Sequence, residues 1–370
     1  MFLKKIFMAS LGTGLAGLIL SACITKYEAT GLDKIEGILV VEGIITDDET
    51  TIRLSQSSSM TDGFSFANDL NNARVFVECD DGSVFPAEAT TGYRGGKYTM
   101  KTGKLNLDRK YRLKMEIDED EYCSDFLFPI VTPEIDSVFW TKTGIGQPVN
   151  IYVASHSPDN QVLYYRWSYQ EDSDFFTPIE LSPYPSHCWI TESNKDILLA
   201  STEKMVSGRV TEHLTTIWPS DKKLSSKYRM DVKQNAISKK AYHYFNNIKK
   251  NSEQSGSIFA PIPSELRGNI ICTNDPGRRI IGYMDVSLTV KKRLQILRND
   301  NAYEPPVSYC AILSVDELIK QYGYIPYDWI LYYTPPPDPL WPIPATYVRK
   351  DCVDCTLEGG LINKPPDWDE

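Results

Sequence analysis

A two-residue alternation of apolar and polar side chains runs through most of this chain and limits what it can become. GILVVEGI (37–44), TIRLSQ (51–56), ARVFVEC (73–79) and YRLKMEI (111–117) all carry it. Successive side chains of a strand point to opposite faces, so each segment has one face to bury and one to leave in water. Such strands must pair into sheets, and the apolar faces of those sheets must find each other. No helical period of useful length precedes residue 125. ARVFVEC-DDG-SVFPAE places strands on both sides of Asp81-Gly82, a strong hairpin signal. Gly95-Gly96 before KYTMKT marks a further turn and strand. Residues 35–128 are therefore expected to form a β-sandwich of immunoglobulin-like or carboxypeptidase-regulatory-like type. The acidic run Asp118–Glu121 reads as a solvated loop; a calcium loop would want a turn Gly and a closing bidentate Glu.

Pro129 and Pro133 in PIVTPEIDSVFW mark a boundary, and strand patterns resume after it at 135–140, 149–155, 162–170, 226–237 and 279–297. In VLYYRWSYQ (162–170), Tyr165, Trp167 and Tyr169 share one face, and Tyr164, Arg166 and Ser168 the other. Trp167 is expected as a core residue, with a ligand-facing role as the alternative. Ser238 reads as an N-cap, and Ala241, Tyr244, Phe245 and Ile248 fall on one face of a helix near 239–254 that Gly256 stops. Residues 129–300 are expected to be a second sandwich carrying that helix. The fold class is thus mainly β: two tandem immunoglobulin/fibronectin-III-like sandwiches.

Residues 301–370 differ in composition and hold eleven of the 23 prolines. After a short expected helix at 315–322, YIPYDWILYYTPPPDPLWPIPATY (324–347) reads as an extended strap. Its aromatics would either be buried by wrapping the second domain or be exposed for a partner. Tyr324, Tyr327, Trp329, Trp341 and Tyr347 are the candidate contact residues. Cys352 and Cys355 are expected to pin the strap by disulfides to Cys188, Cys272 or Cys310, with up to three bridges in the chain and one thiol left over.

The N-terminus reads as an export signal. Lys4 and Lys5 precede an apolar stretch from Ile6 to Leu20, and Leu20-Ser21-Ala22-Cys23 closes it. Residues 1–22 are expected to be removed and 23–34 to be a tether. A Cys in that place looks like a bacterial lipobox, in which its thiol takes a diacylglycerol; two or three acyl chains anchor stably where one does not.

Enzymatic signatures are missing from the pattern. Beyond residue 22 the sequence contains no HExxH, GxSxG, Walker A or GxGxxG motif, and its four His, at 156, 187, 213 and 243, are scattered. Cys352-Val-Asp-Cys355 is a CxxC, but redox chemistry wants it at a helix N-terminus and zinc wants two further ligands, for which His187-Cys188 is the one tempting pair. The reading is a non-enzyme without metal or cofactor. A net charge of −10 argues against nucleic acid as a partner.

LVVEGIITDD, ARVFVECDDG, PEIDSVFW, YYRWSYQE, the stretch from SKYRMDVKQNAI through ELRGNI, GYMDVS and a closing CVDCTLEGGLINKPPDW occur in that order. In this the chain resembles the Bacteroidota lipoprotein family called domain of unknown function 4249, over nearly all of its length after Cys23. PPDWDE stands where that family usually ends in Pro-aromatic-Trp. The resemblance implies an outer-membrane lipoprotein that works beside TonB-dependent transporters of the starch-utilisation type, with no established catalytic residues. It implies partners of three kinds: membrane lipid through acylated Cys23, a TonB-dependent receptor, and a peptide or glycan ligand. The alternative is a freestanding surface adhesin or glycan-binding lipoprotein. Ile24-Thr25-Lys26-Tyr27-Glu28 partly matches the Lys-acid stretch that favours export to the cell surface, with the periplasmic leaflet as the other destination.

Overall fold

The computed structural model describes residues 37–57, 68–90, 96–219, 221–254, 267–301, 310–334 and 343–369. The export signal 1–22, Cys23, the tether 23–34, Gly256 and Trp341 lie outside the described residues.

The structure is mainly β, as the alternation requires. Strands Tyr111–Ile117 and Val149–His156 bury every second residue along their whole length. In the first sandwich, one sheet runs in the order Ile280–Ile281, Leu39–Gly43, Asp48–Gln56, Lys97–Gly103, Glu88–Ala89, with Asn68–Asp69 beside Asp48–Gln56. The facing sheet runs Ile270–Cys272, Asp120–Ser124, Tyr111–Ile117, Arg74–Cys79, Val84–Pro86. Leu54, Met100, Val77 and Leu113 meet between them. The expected hairpin is present: Cys79 N donates to Ser83 O at 2.8 Å, and Gly82 takes the positive φ of 92° that the turn needs.

One feature departs from the expected division at residue 129. Ile270–Cys272 and Ile280–Ile281 were read within the second sandwich, yet each adds an outer strand to one sheet of the first. Glycine permits this crossing. A Cβ on Gly268 would lie 1.6 Å from Gly282 O, and one on Gly282 would lie 2.7 Å from Val41 O. The next residues, 283–288, thread the joint: Ile45 N donates to Asp285 O, and Leu288 N to Ile130 O.

The second sandwich packs the sheet Ile135–Thr141, Val149–His156, Arg209–Ile217 against His187–Ser193, Tyr164–Phe176, Lys227–Ala236, Thr289–Leu297, with Leu198–Ser201 also beside the long strand. Tyr165, Trp167 and Tyr169 point into its core, and Trp167 Nε1 donates to buried Gln234 at 2.7 Å. The opposite face of the same strand is covered too. Helix Lys239–Gln254 lays Ala241 and Tyr244 on Tyr164 and Leu199, and the Arg166 guanidinium sits 4.3 Å from the centre of the Phe245 ring. Ser238 caps the helix, accepting from Ala241 N at 3.1 Å. The long strand runs to Phe176, past the expected end at 170.

A three-stranded C-terminal sheet, ordered Ile312–Ser314, Thr346–Arg349, Trp329–Tyr333, completes the described chain, with helix Val315–Tyr322 beside it. That helix opens with a Ser314/Glu317 capping box and ends at Gly323 in the left-handed region.

Candidate functional site

Trp329 and Tyr347 lie on strands of the C-terminal sheet, Tyr324 and Tyr327 on the connection between helix Val315–Tyr322 and strand Trp329–Tyr333, and covalent and ionic ties hold this module in place. Cys310 pairs with Cys352, and Cys188 on strand His187–Ser193 pairs with Cys355. The two cysteines of the CxxC therefore have different partners, which accounts for the motif by cross-linking. Cys272 is not among them. It is a buried free thiol in the core of the first sandwich, because its strand joined that unit, and Cys79 and Cys123 are also free and buried. Two bridges and three thiols replace the expected three and one among the described residues. Burial pushes the Cys79 and Cys123 thiols up, away from the reactive thiolate.

Below the second bridge lies a buried ionic clamp. Glu171-Asp172-Ser173-Asp174 looks like a solvated run, but all four are buried. Asp172 and Arg229, side by side on adjacent strands, pair at 2.7 Å. Arg229 also donates to the backbone carbonyls of Asp367 at 2.6 Å and Pro366 at 2.9 Å. Lys227 donates to Trp368 O, and its ammonium lies 4.9 Å from the centre of the buried Trp368 indole. Asp174 accepts from Lys227 N and contacts His187 Nε2 at 2.9 Å. On the inward face Glu171 takes Tyr228 Oη at 2.6 Å and Lys223 Nζ at 2.9 Å. Burial works against the Lys223 charge, but Glu192 and Glu171 more than offset it and raise its pKa. The Pro-Pro-Asp-Trp tail is thus latched onto the sheet that carries Cys188.

The candidate aromatics divide on this base. Trp329 is buried at 9% exposure and Tyr347 is half-buried, so these two hold the module together. Tyr324 is exposed and Tyr327 stands at 99% exposure. In the same module Ile319, Tyr322, Leu331 and Tyr333, which were not singled out in the sequence, are exposed as well. Helical spacing marks the first pair: Leu318 faces inward, leaving Ile319 and Tyr322 outside. The exposed ridge is aromatic and aliphatic on a rigid mount, the composition of protein contact surfaces.

Among the described residues no three His, Cys, Asp or Glu side chains are placed to hold a metal ion. His187, the tempting zinc partner, is engaged by Asp174 and stacks on Phe176 with ring centres 4.0 Å apart. No described helix is long and apolar enough to cross a membrane.

A family model described as domain of unknown function (DUF4249) matches residues 24–293. The match ends within strand Thr289–Leu297, before the C-terminal module. No curated protein matches the chain. Among solved structures, 76 chains match. One is the crystal structure of a DUF4785 family protein from Legionella pneumophila subsp. pneumophila str. Philadelphia 1, at 11% identity and a TM-score of 0.20, over 52% of this chain and 51% of that one. The chain thus spans about half the length of that protein.

Proposed function

This chain belongs to the DUF4249 family, and from that membership we propose that it is an outer-membrane lipoprotein serving as a non-enzymatic accessory subunit of a TonB-dependent transporter. Acyl chains on Cys23 hold it at the membrane, with its body at the cell surface. The two sandwiches are the rigid frame, and the exposed ridge of the C-terminal module meets the transporter or its cargo. The observation that carries the reading is the pairing of nearly full exposure at Tyr327 with a mount fixed by two disulfides and a buried ion pair. Tyr buries much area at little entropy cost, and a mount that is already ordered adds little more. Anchoring turns weak contact into an effectively intramolecular one, so modest affinity suffices.

Copurification tests the proposal. A tagged chain extracted in mild detergent should recover a TonB-dependent barrel, and Tyr324→Ser with Tyr327→Ser should lower that recovery. Recovery of no barrel, or recovery indifferent to both substitutions, would refute the docking role. Mass spectrometry of the mature N-terminal peptide tests the anchor: an unacylated Cys23 would refute it.

A further inference from the structure

A cationic recess lies far in sequence from the C-terminal module, where helix Lys239–Gln254 faces the strand Ile270–Cys272. It is a cleft of about 520 Å³, within the range that small-molecule sites occupy, and it sits where the two sandwiches meet. Lys240, His243, Tyr244 and Asn247 line it from the helix. Their spacing of three, four and seven residues puts all four on one helical face. Each can donate a hydrogen bond: an ammonium, an imidazole N–H, a phenol and a carboxamide. Arg267 lines the opposite wall, and Asp125 is the one acid. Among the described lining residues, a chain with net charge −10 thus places Lys240 and His243 on one helical face of this cleft, with Arg267 across from them.

Tyr244 gives an independent sign of what the cleft accepts. The residue is 5% exposed, and its hydroxyl accepts from Gly282 N at 2.7 Å. That bond uses an oxygen lone pair and leaves the phenol's own proton free to be given away. Among the described residues that proton has no acceptor. An acceptor entering the cleft would take that proton. Lys240, on the same face, makes no ion pair among the described residues. Other polar groups of the wall are already committed: Asn269 bonds the backbone of Met284 through both ends of its carboxamide, at 2.8 Å each.

We infer that this cleft binds the oxyanion group, carboxylate or phosphate, of a small ligand, with Tyr244, Lys240 and His243 as donors and Arg267 supplying charge from the facing wall. The proposal is independent of the docking role of the C-terminal module.

Isothermal titration calorimetry of the purified chain tests it, with inorganic phosphate in one arm and succinate in the other, at ionic strength matched with sodium chloride. Saturable one-to-one binding is expected for at least one probe. Phosphate alone would mark a phosphoryl ligand, succinate alone a carboxylate. Lys240→Gln and Tyr244→Phe should each weaken binding about ten-fold, the usual effect of removing one charge-assisted or buried hydrogen bond. Lys240 is exposed, so its variant should fold as the parent does even where Tyr244→Phe does not. No saturable binding of either probe, or binding that Lys240→Gln leaves unchanged, would overturn the inference.

Discussion

Replacing Arg229 with Met should release the C-terminal tail and cost a large part of the protein's stability. The Arg229 and Asp172 side chains are 3% and 1% exposed, so neither charge can be screened by water. Removing one partner of a buried pair leaves the other uncompensated, which costs about 3–5 kcal/mol. Asp172 keeps the Thr191 hydroxyl at 2.7 Å, which places the expected loss toward the lower end. The carbonyls of Pro366 and Asp367 lose their donor at the same time, and Trp368 loses a cation 5.5 Å from its ring centre. A typical domain has only about 5–15 kcal/mol in hand, so the shift is large. Urea unfolding followed by tryptophan fluorescence, with the disulfides intact, measures it. The double variant Asp172→Asn/Arg229→Met should recover much of the loss, since it removes the stranded charge. A single-variant loss below about 1 kcal/mol, or a double variant no better than the single, would refute the clamp.

Three further outcomes follow from the same geometry. Cys310→Ser/Cys352→Ser opens a loop with a sequence separation of 42 residues and should lower stability by about 4 kcal/mol in the chain-entropy relation; an unchanged urea midpoint would mean that packing alone holds the module. Asp285, buried at the joint, has its carboxyl raised to about 6 by burial, although the Ser238 N–H bond opposes the shift. The native state therefore holds a proton that the unfolded state releases near pH 4, so this group's contribution should fall by about 3 kcal/mol as pH rises from about 4 to 6 and stay flat above. Asp285→Asn should flatten that part of a Tm-against-pH profile, and an unaltered slope would contradict the assignment. Gly268→Ala would force a methyl against Gly282 O and should destabilise by more than about 3 kcal/mol in thermal unfolding; a Tm like the parent's would show that the two backbones do not approach so closely.

Local signals in the sequence were sufficient for local structure. The Asp81-Gly82 turn, the faces of Tyr165-Trp167-Tyr169 and the Ser238 cap all depend on neighbours within a few residues. What the pattern could not carry was which sheet a strand joins. Ile270–Cys272 and Ile280–Ile281 are short apolar runs with no local mark of their sheet; their pairing with Asp120–Ser124 and Leu39–Gly43, at sites distant in the sequence, takes them to the first sandwich. Cys272 was misassigned for that reason. Burial of the acids at 171–174 has no local signal, because burial of charge is costly in isolation and their partners Arg229, Lys223 and Lys227 lie about fifty residues away in the sequence. Aromatic content pointed to the C-terminal module, but it could not separate Trp329, which packs inward, from Tyr327, which does not.

The most direct test of the docking account is a site-specific photo-crosslink. A benzophenone side chain placed at Tyr327, at 99% exposure, can react without disturbing the fold. Irradiated in intact cells, it should link the chain to a TonB-dependent outer-membrane barrel, while the same group at exposed Leu107 on the first sandwich should not. Crosslinks to no barrel from Tyr327, or equal yield from both positions, would contradict the account.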